Sequence, residues 1–192
     1  MPSRLAPLIL ACLLLLAACG KGQEPPRRVL EVKAPRGQKH ADFTPAGMAF
    51  DRPRNWRLRP RLTPAVFELT SGEATVAGWA YRREEDLPET DEQLEAAKGR
   101  LIDAIEDRDP DFKLASAETT EVAGAPAIDV RGEQVISKRR LATRSVHVFE
   151  NETEYVIEAL EPPADRSLVE SRVLAPLLDS LALEGIPRED GE

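Results

Sequence analysis

Residues 141–160 read Leu-Ala-Thr-Arg-Ser-Val-His-Val-Phe-Glu-Asn-Glu-Thr-Glu-Tyr-Val-Ile-Glu-Ala-Leu. Leu141–Glu150 and Glu154–Leu160 are runs rich in β-branched and apolar residues, and Asn151-Glu152-Thr153 between them is turn-forming. The stretch predicts a β-hairpin. Just upstream, Ile128, Val130 and Gly132 alternate with Asp129, Arg131 and Glu133, the pattern of a strand with one wet face. Gly124-Ala125-Pro126 separates that strand from a weaker one over Lys113–Val122.

Further out the period changes. Thr90 with Gln93 three residues on forms a capping-box pattern, and Leu94, Ala97, Leu101, Ile102 and Ile105 recur at helical spacing. They predict an amphipathic helix over 91–107, weakened by Gly99 and ended by Pro110. Before it, Ala65–Thr70 and Ala74–Tyr81 flank Ser71-Gly72-Glu73 as a second hairpin, and Gly47–Asp51 reads as a short strand followed by a Pro- and Arg-rich loop through Pro60. After Pro162-Pro163, Asp165 is placed to cap a closing helix with Leu168, Val169, Val173, Leu177 and Leu178 on its apolar face; Pro176 should kink or restart it. No repeat of solenoid period is present.

The 192 residues fit one domain, and 42% apolar residues suffice for its core. The net charge of −8 argues against nonspecific nucleic-acid binding, which draws its affinity from cations laid against phosphates. Two cysteines do not make a disulfide scaffold, a four-ligand zinc site would need both of them together with His40 and His147, and 5% aromatic residues argue against a stacking platform. The charge is uneven. Gly20–Ala46 holds six bases and three acids with four prolines and lacks periodicity, so it reads as a flexible basic tether. Gly47–Glu192 carries the acid excess and reads as the folded head, with its last few residues frayed.

Arg4, the apolar run Leu5–Leu16 and the small residues Ala17-Ala18 have the layout of a secretory signal peptide, too short to span a bilayer. Leu16-Ala17-Ala18-Cys19 resembles the lipobox of bacterial lipoproteins. The resemblance implies diacylglycerol on the Cys19 thiol, cleavage before it, and a chain held on the extracytoplasmic side of a cell-envelope membrane. The expected divisions are therefore 1–18 signal peptide, 19–46 lipidated tether and 47–192 domain. Cys12 falls in the discarded segment.

Phe50…Trp56, Gly124-Ala125-Pro126-Ala127, Tyr155-Val156-Ile157 and Leu177-Leu178-Asp179-Ser180-Leu181, with the order of elements, resemble the PsbP-like superfamily. That family includes photosystem extrinsic subunits, a Ran-binding protein and envelope lipoproteins of the DcrB type. The resemblance, over about residues 46–183, implies a single α+β domain, an antiparallel sheet sandwiched by helices. It also implies a non-catalytic role, though such a fold hosts many functions.

Searching for chemistry yields little that is assigned. Neither a nucleophile elbow nor a phosphate-cradling loop occurs. Ser145 and His147 share a face of one strand, about 7 Å apart at strand rise, too far for a direct hydrogen bond without side-chain bending. His147 therefore reads as structural, and His40 lies in the tether without a partner. Asp107, Asp109, Asp111 and Glu118 have calcium-loop spacing, but Phe112 holds the position that needs glycine, so a helix-to-strand loop is the reading. No catalytic, cofactor or metal residue is expected. Arg52, Arg54, Arg57, Arg59 and Arg61 with Trp56 form a candidate partner surface for an envelope protein or an anionic surface, and Lys138-Arg139-Arg140 is a smaller basic run. The function expected is a membrane-anchored, non-catalytic binding or accessory module. A small-ligand- or metal-binding lipoprotein is the alternative, and an envelope hydrolase is third. A partner module predicts a flat basic patch around Trp56, a ligand binder an enclosed apolar pocket between sheet and helix, and a hydrolase a cleft where His147 meets a nucleophile from elsewhere in the fold.

Overall fold

The hairpin over residues 141–160 forms, and it lies in the middle of the molecule. A computed structural model describes residues 30–187; the predicted signal peptide and Cys19 lie outside them. Residues 38–43 and 48–53 form β1 (Gln38–Phe43) and β2 (Met48–Pro53), and residues 57–60, 65–71 and 74–82 form β3 (Arg57–Pro60), β4 (Ala65–Ser71) and β5 (Ala74–Arg82). Helix α1 (Asp91–Arg108) leads to β6 (Lys113–Val122), β7 (Ala125–Ile136), β8 (Arg139–Glu150) and β9 (Thr153–Glu161). The closing helix is built from α2 (Arg166–Val169), a π turn (Glu170–Leu174) and α3 (Ala175–Asp179), before β10 (Ala182–Leu183).

Seven strands make one antiparallel sheet in the order β3-β4-β5-β9-β8-β7-β6, and β1-β2-β10 make a small second sheet. Because β5 pairs with β9, α1 carries the chain from the sheet's centre to its far edge at β6. The capping box at α1 is present in full, with Thr90 and Gln93 satisfying each other's backbone N–H.

Alternation sorts the side chains onto two faces. Tyr155, Ile157 and Ala159 of β9, with Val146 and Val148 of β8, face Val169, Val173, Leu174 and Leu177 of the closing helix and Met48 and Phe50 of the small sheet. Each such Val, Leu or Phe removed from water contributes about 1.5–3 kcal/mol. Phe50 and Phe67 pack with ring centroids 4.5 Å apart. Phe67 lies over Gly78 of β5, where a Cβ would meet its ring at 2.2 Å, so this strand position requires glycine. On the opposite face a smaller cluster joins Leu94 and Ile105 of α1 to Ile128 and Val130 of β7.

Three expectations need correction. Residues 30–46 are not a flexible tether: β1 pairs with β2 over its whole length, and Val32 and Ala41 are buried. Residues 33–36 are strapped down by hydrogen bonds, with Trp56 Nε1 donating to the Lys33 carbonyl, Asn55 to that of Ala34, and the Arg36 N–H to Asn55. These are side-chain-to-backbone bonds, which hydrophobic periodicity does not report. The loop predicted through Pro60 contains β3, an edge strand, where Pro60 is tolerated. In the closing helix Asp165 makes no side-chain cap, and the chain enters through the 3-10 turn Pro163–Asp165. Pro176, which lacks the N–H an α-helix interior needs, is preceded by the π turn.

Candidate functional site: a half-covered sheet face

Helix α1 packs over β6 and β7 and reaches Phe149 of β8, leaving β9, β5 and β4 without a helix above them on the same face. The step between helix and bare sheet is a cleft of about 570 Å³. Its wall is α1, through Leu101, Ile105 and Arg108. Its floor is every second residue of three adjacent strands: Trp79 and Tyr81 from β5, Glu154, Val156, Glu158 and Leu160 from β9, Thr143, Ser145 and His147 from β8. A second cavity of about 260 Å³ continues across β4 toward Arg61, sharing Trp79, Glu158 and Leu160 with the first.

A chain of hydrogen bonds runs along this floor. His147 Nδ1 lies 2.7 Å from Glu154 Oε1, and its Nε2 lies 3.1 Å from Ser145 Oγ. With Nδ1–H donating to the carboxylate, Nε2 accepts from the hydroxyl. Arg83 Nε donates to the second Glu154 oxygen at 2.7 Å. Burial alone would raise the Glu154 carboxyl, but hydrogen bonds from His147 and Arg83 together outweigh it and hold the group below its usual range. The expectation that Ser145 and His147 do not bond directly is thus corrected. Register supplies the cause: His147 is paired with Val156, so Glu154 is its diagonal neighbour across the hairpin and leans the imidazole along the strand.

Ser, His and Glu in this order are the parts of a nucleophile relay, but a relay also needs donors for a developing oxyanion. Ser145 and His147 sit mid-strand in β8, paired with β7 on one side and β9 on the other. The backbone N–H groups beside the hydroxyl are committed to those ladders. The arrangement orients polar groups on the cleft floor, with those backbone N–H groups unavailable to an oxyanion.

Glu158 differs from its neighbours. It lies opposite Ala77 on β5 and Ser145 on β8, with Trp79 diagonal to it. Its carboxylate makes no hydrogen bond or ion pair with a described residue. Burial pushes its pKa up, and the Arg108 and His147 charges pull the other way without restoring it.

The opposite face carries a second buried acid. Glu161 is 0% exposed, and neither carboxylate oxygen has a hydrogen-bond partner. The guanidinium groups nearby are committed elsewhere: Arg144 to Asp129 at 2.8 Å, Arg131 to Asp129 and Glu170 at 3.2 Å, and Arg166 to the Gly132 carbonyl at 3.0 Å. Burial raises Glu161 to about 7, with Glu170 adding to the effect and Arg166 and Arg144 opposing it.

The predicted partner surface does not gather around Trp56. That ring is 2% exposed and belongs to the core, so it offers nothing to a partner. Arg52 is turned inward, donating to the Pro53 and Trp56 carbonyls, and Arg54 reaches the Gln38 carbonyl at 3.4 Å. Arg59 and Arg61 both pair with Glu68 of β4, and Arg57 is exposed on the edge strand. In the smaller run, Arg139 pairs with Glu73 and Arg140 with Glu133. His40 meets Asp51 at 3.0 Å on the small sheet. Asp109 accepts from the Asp111 N–H within its own loop, and the described residues contain no cluster of three or more metal-ligating side chains. Glu154, Glu158, Trp79 and Arg83, which do shape the cleft, carry no motif; only the hairpin register, known in advance, brings them together.

No family model and no curated protein match the chain by sequence. Solved structures do match in fold. The cyanobacterial PsbP (CyanoP) of Synechocystis aligns with a TM-score of 0.60 at 12% identity over 88% of this chain and 99% of that one. LpqN, involved in cell envelope biogenesis of Mycobacterium tuberculosis, aligns with a TM-score of 0.51 at 14% identity over 71% and 82% of the two chains. A Bacteroides thetaiotaomicron protein gives 0.52 at 9% identity, over 80% of this chain and 50% of its own. The chain is a single α+β domain of PsbP-like fold, an antiparallel sheet flanked by helices, as the resemblance in its sequence implies.

Proposed function

We propose that this protein is a lipid-anchored, extracytoplasmic binding module of the cell envelope, and that it binds through the cleft between α1 and the bare sheet rather than through an arginine patch. The observation that carries this reading is the half-covered sheet face. Helix α1 packs chiefly on β6 and β7, and Trp79, Val156 and Leu160 line an open hollow of about 570 Å³ with a polar chain already fixed in its floor. Preformed, mixed apolar and polar clefts of this size are what small ligands occupy. The backbone N–H groups beside Ser145 are taken up by the sheet ladders, which favours binding over turnover. Anchorage rests on Leu16-Ala17-Ala18-Cys19 at the end of an apolar run. No helix among the described residues is long and apolar enough to cross a membrane.

Anchor and cleft are tested separately. Mass spectrometry of the amino terminus should show acyl chains on Cys19, and Cys19→Ser should leave the full-length precursor uncleaved and unacylated. An unmodified start elsewhere sinks the anchor. For the cleft, Ala77→Leu places a bulky side chain on the floor beside Glu158 and Trp79; it should suppress binding of small apolar probes while the fold's melting temperature stays within a few degrees.

A further inference from the structure

We infer that the cleft selects an alkylammonium group: a positively charged nitrogen seated between Glu158 and Trp79, with its hydrocarbon part lying along Val156, Leu160 and α1. The inference rests on the cleft being the binding element and adds the chemistry of its occupant.

Four observations converge on that position. Glu158, Trp79 and Leu160 line both cavities, so they sit where the groove passes from the helix wall onto the bare sheet. The Glu158 carboxylate has no hydrogen bond or ion pair from a described residue, whereas Glu154, on the same strand and face, is taken up by His147 and Arg83. Its cross-strand neighbour on β5 is Ala77, which leaves room directly beside the carboxylate. Trp79, diagonal to it and lining both cavities, supplies an indole, the strongest aromatic partner for a cation. An anion finds less. Arg83 is bonded to Glu154 and stacked 5.5 Å from the Tyr81 ring centre, so its charge is already compensated. Arg108 lines the helix wall of the cleft, and its charge already acts on Glu158 through space. A carboxylate on the cleft floor would face Glu158, and like charges at close range disfavour it.

The test compares three probes of one shape on the intact protein by calorimetry, with Trp79 emission as a second readout: phenethylammonium, the neutral 2-phenylethanol and the anionic 3-phenylpropionate. The parent should bind the ammonium about tenfold more tightly than the alcohol and the carboxylate least. In Glu158→Gln the ammonium should fall to the level of the alcohol, while Glu161→Gln, on the other face, should keep the full preference. Ala77→Leu should weaken ammonium and alcohol alike. If ammonium and alcohol bind equally to the parent, or if Glu158→Gln preserves the preference, the ammonium assignment is overturned and the cleft survives as a neutral apolar site. If none of the three probes binds, the cleft reading falls and takes this inference with it. Ethanolamine and choline arms, run as free compounds and as headgroups in vesicles, then separate a soluble amine from a lipid as its source.

Discussion

Glu161 and Glu158 lie three residues apart on the same strand and so on opposite faces, one sealed beneath the closing helix and one open to the cleft. For Glu161 the consequence is a pH slope. In the unfolded chain this carboxyl titrates near 4.5, whereas in the fold it titrates at about 7. Below 4.5 it is protonated in both states and burial carries no charge penalty. As pH rises toward 7 the unfolded chain releases its proton while the fold retains it, so stability declines across that window and levels off above it. The full difference is on the order of 3 kcal/mol. Glu158, also raised, adds a slope of the same sign; Glu154, held low, acts only in more acid solution, where stability falls as pH drops through its folded value. Glu161→Gln should therefore be more stable than the parent at pH 8 and should lose much less stability between pH 5 and pH 8. Urea melts at both pH values check this; parallel losses in the two proteins would remove Glu161 as the cause.

At the level of elements, what could be read in advance depended on whether the determining interaction was periodic. The β8–β9 hairpin, the β4–β5 hairpin and α1 follow alternation, turn chemistry and a capping box, all local signals, and each forms close to its expected bounds. β1 and β3 were missed because they are edge strands stabilised by backbone pairing and by contacts from far along the chain, with few apolar positions to betray them. A pocket between sheet and helix was the mark of the ligand-binding alternative, but its lining residues were missed for a related reason. His147 was legible as a strand residue, but its partner Glu154 is set by hairpin register, and Glu158 becomes unusual only because α1 stops short of it. Trp56 misled because its flanking arginines suggested a surface, while its indole N–H finds the Lys33 carbonyl inside the fold. One element-scale prediction concerns β5. Gly78→Ala would drive a methyl group into the Phe67 ring, and overpacking of this kind costs about 1–3 kcal/mol. A melting temperature lowered by several degrees is expected; an unchanged one would mean that β4 shifts at its bulge between Ala65 and Phe67 to make room.

For the molecule as a whole, the inclusion of residues 30–46 in the fold changes both where the domain begins and how far it can stand from a membrane. If Cys19 carries the anchor, only about eleven residues separate it from Leu30, a reach of at most about 40 Å when fully extended. The cleft is then held near the bilayer rather than at the end of a long leash. The strap is also structural. Removing it would expose the outer edge of β2, leave the Trp56 indole N–H without its acceptor, and uncover the pocket filled by Val32. Burial of one valine contributes about 1.5–2 kcal/mol and a buried hydrogen bond about 1 kcal/mol, before the unpaired edge is counted. A chain spanning residues 30–187 should therefore melt well above one spanning 47–187. The shorter chain should show red-shifted tryptophan emission as Trp56 meets water, and it should self-associate through the bared β2 edge. Equal melting temperatures and identical emission would mean that the strap merely rests on a domain complete without it, and would restore residues 30–46 to the role of tether.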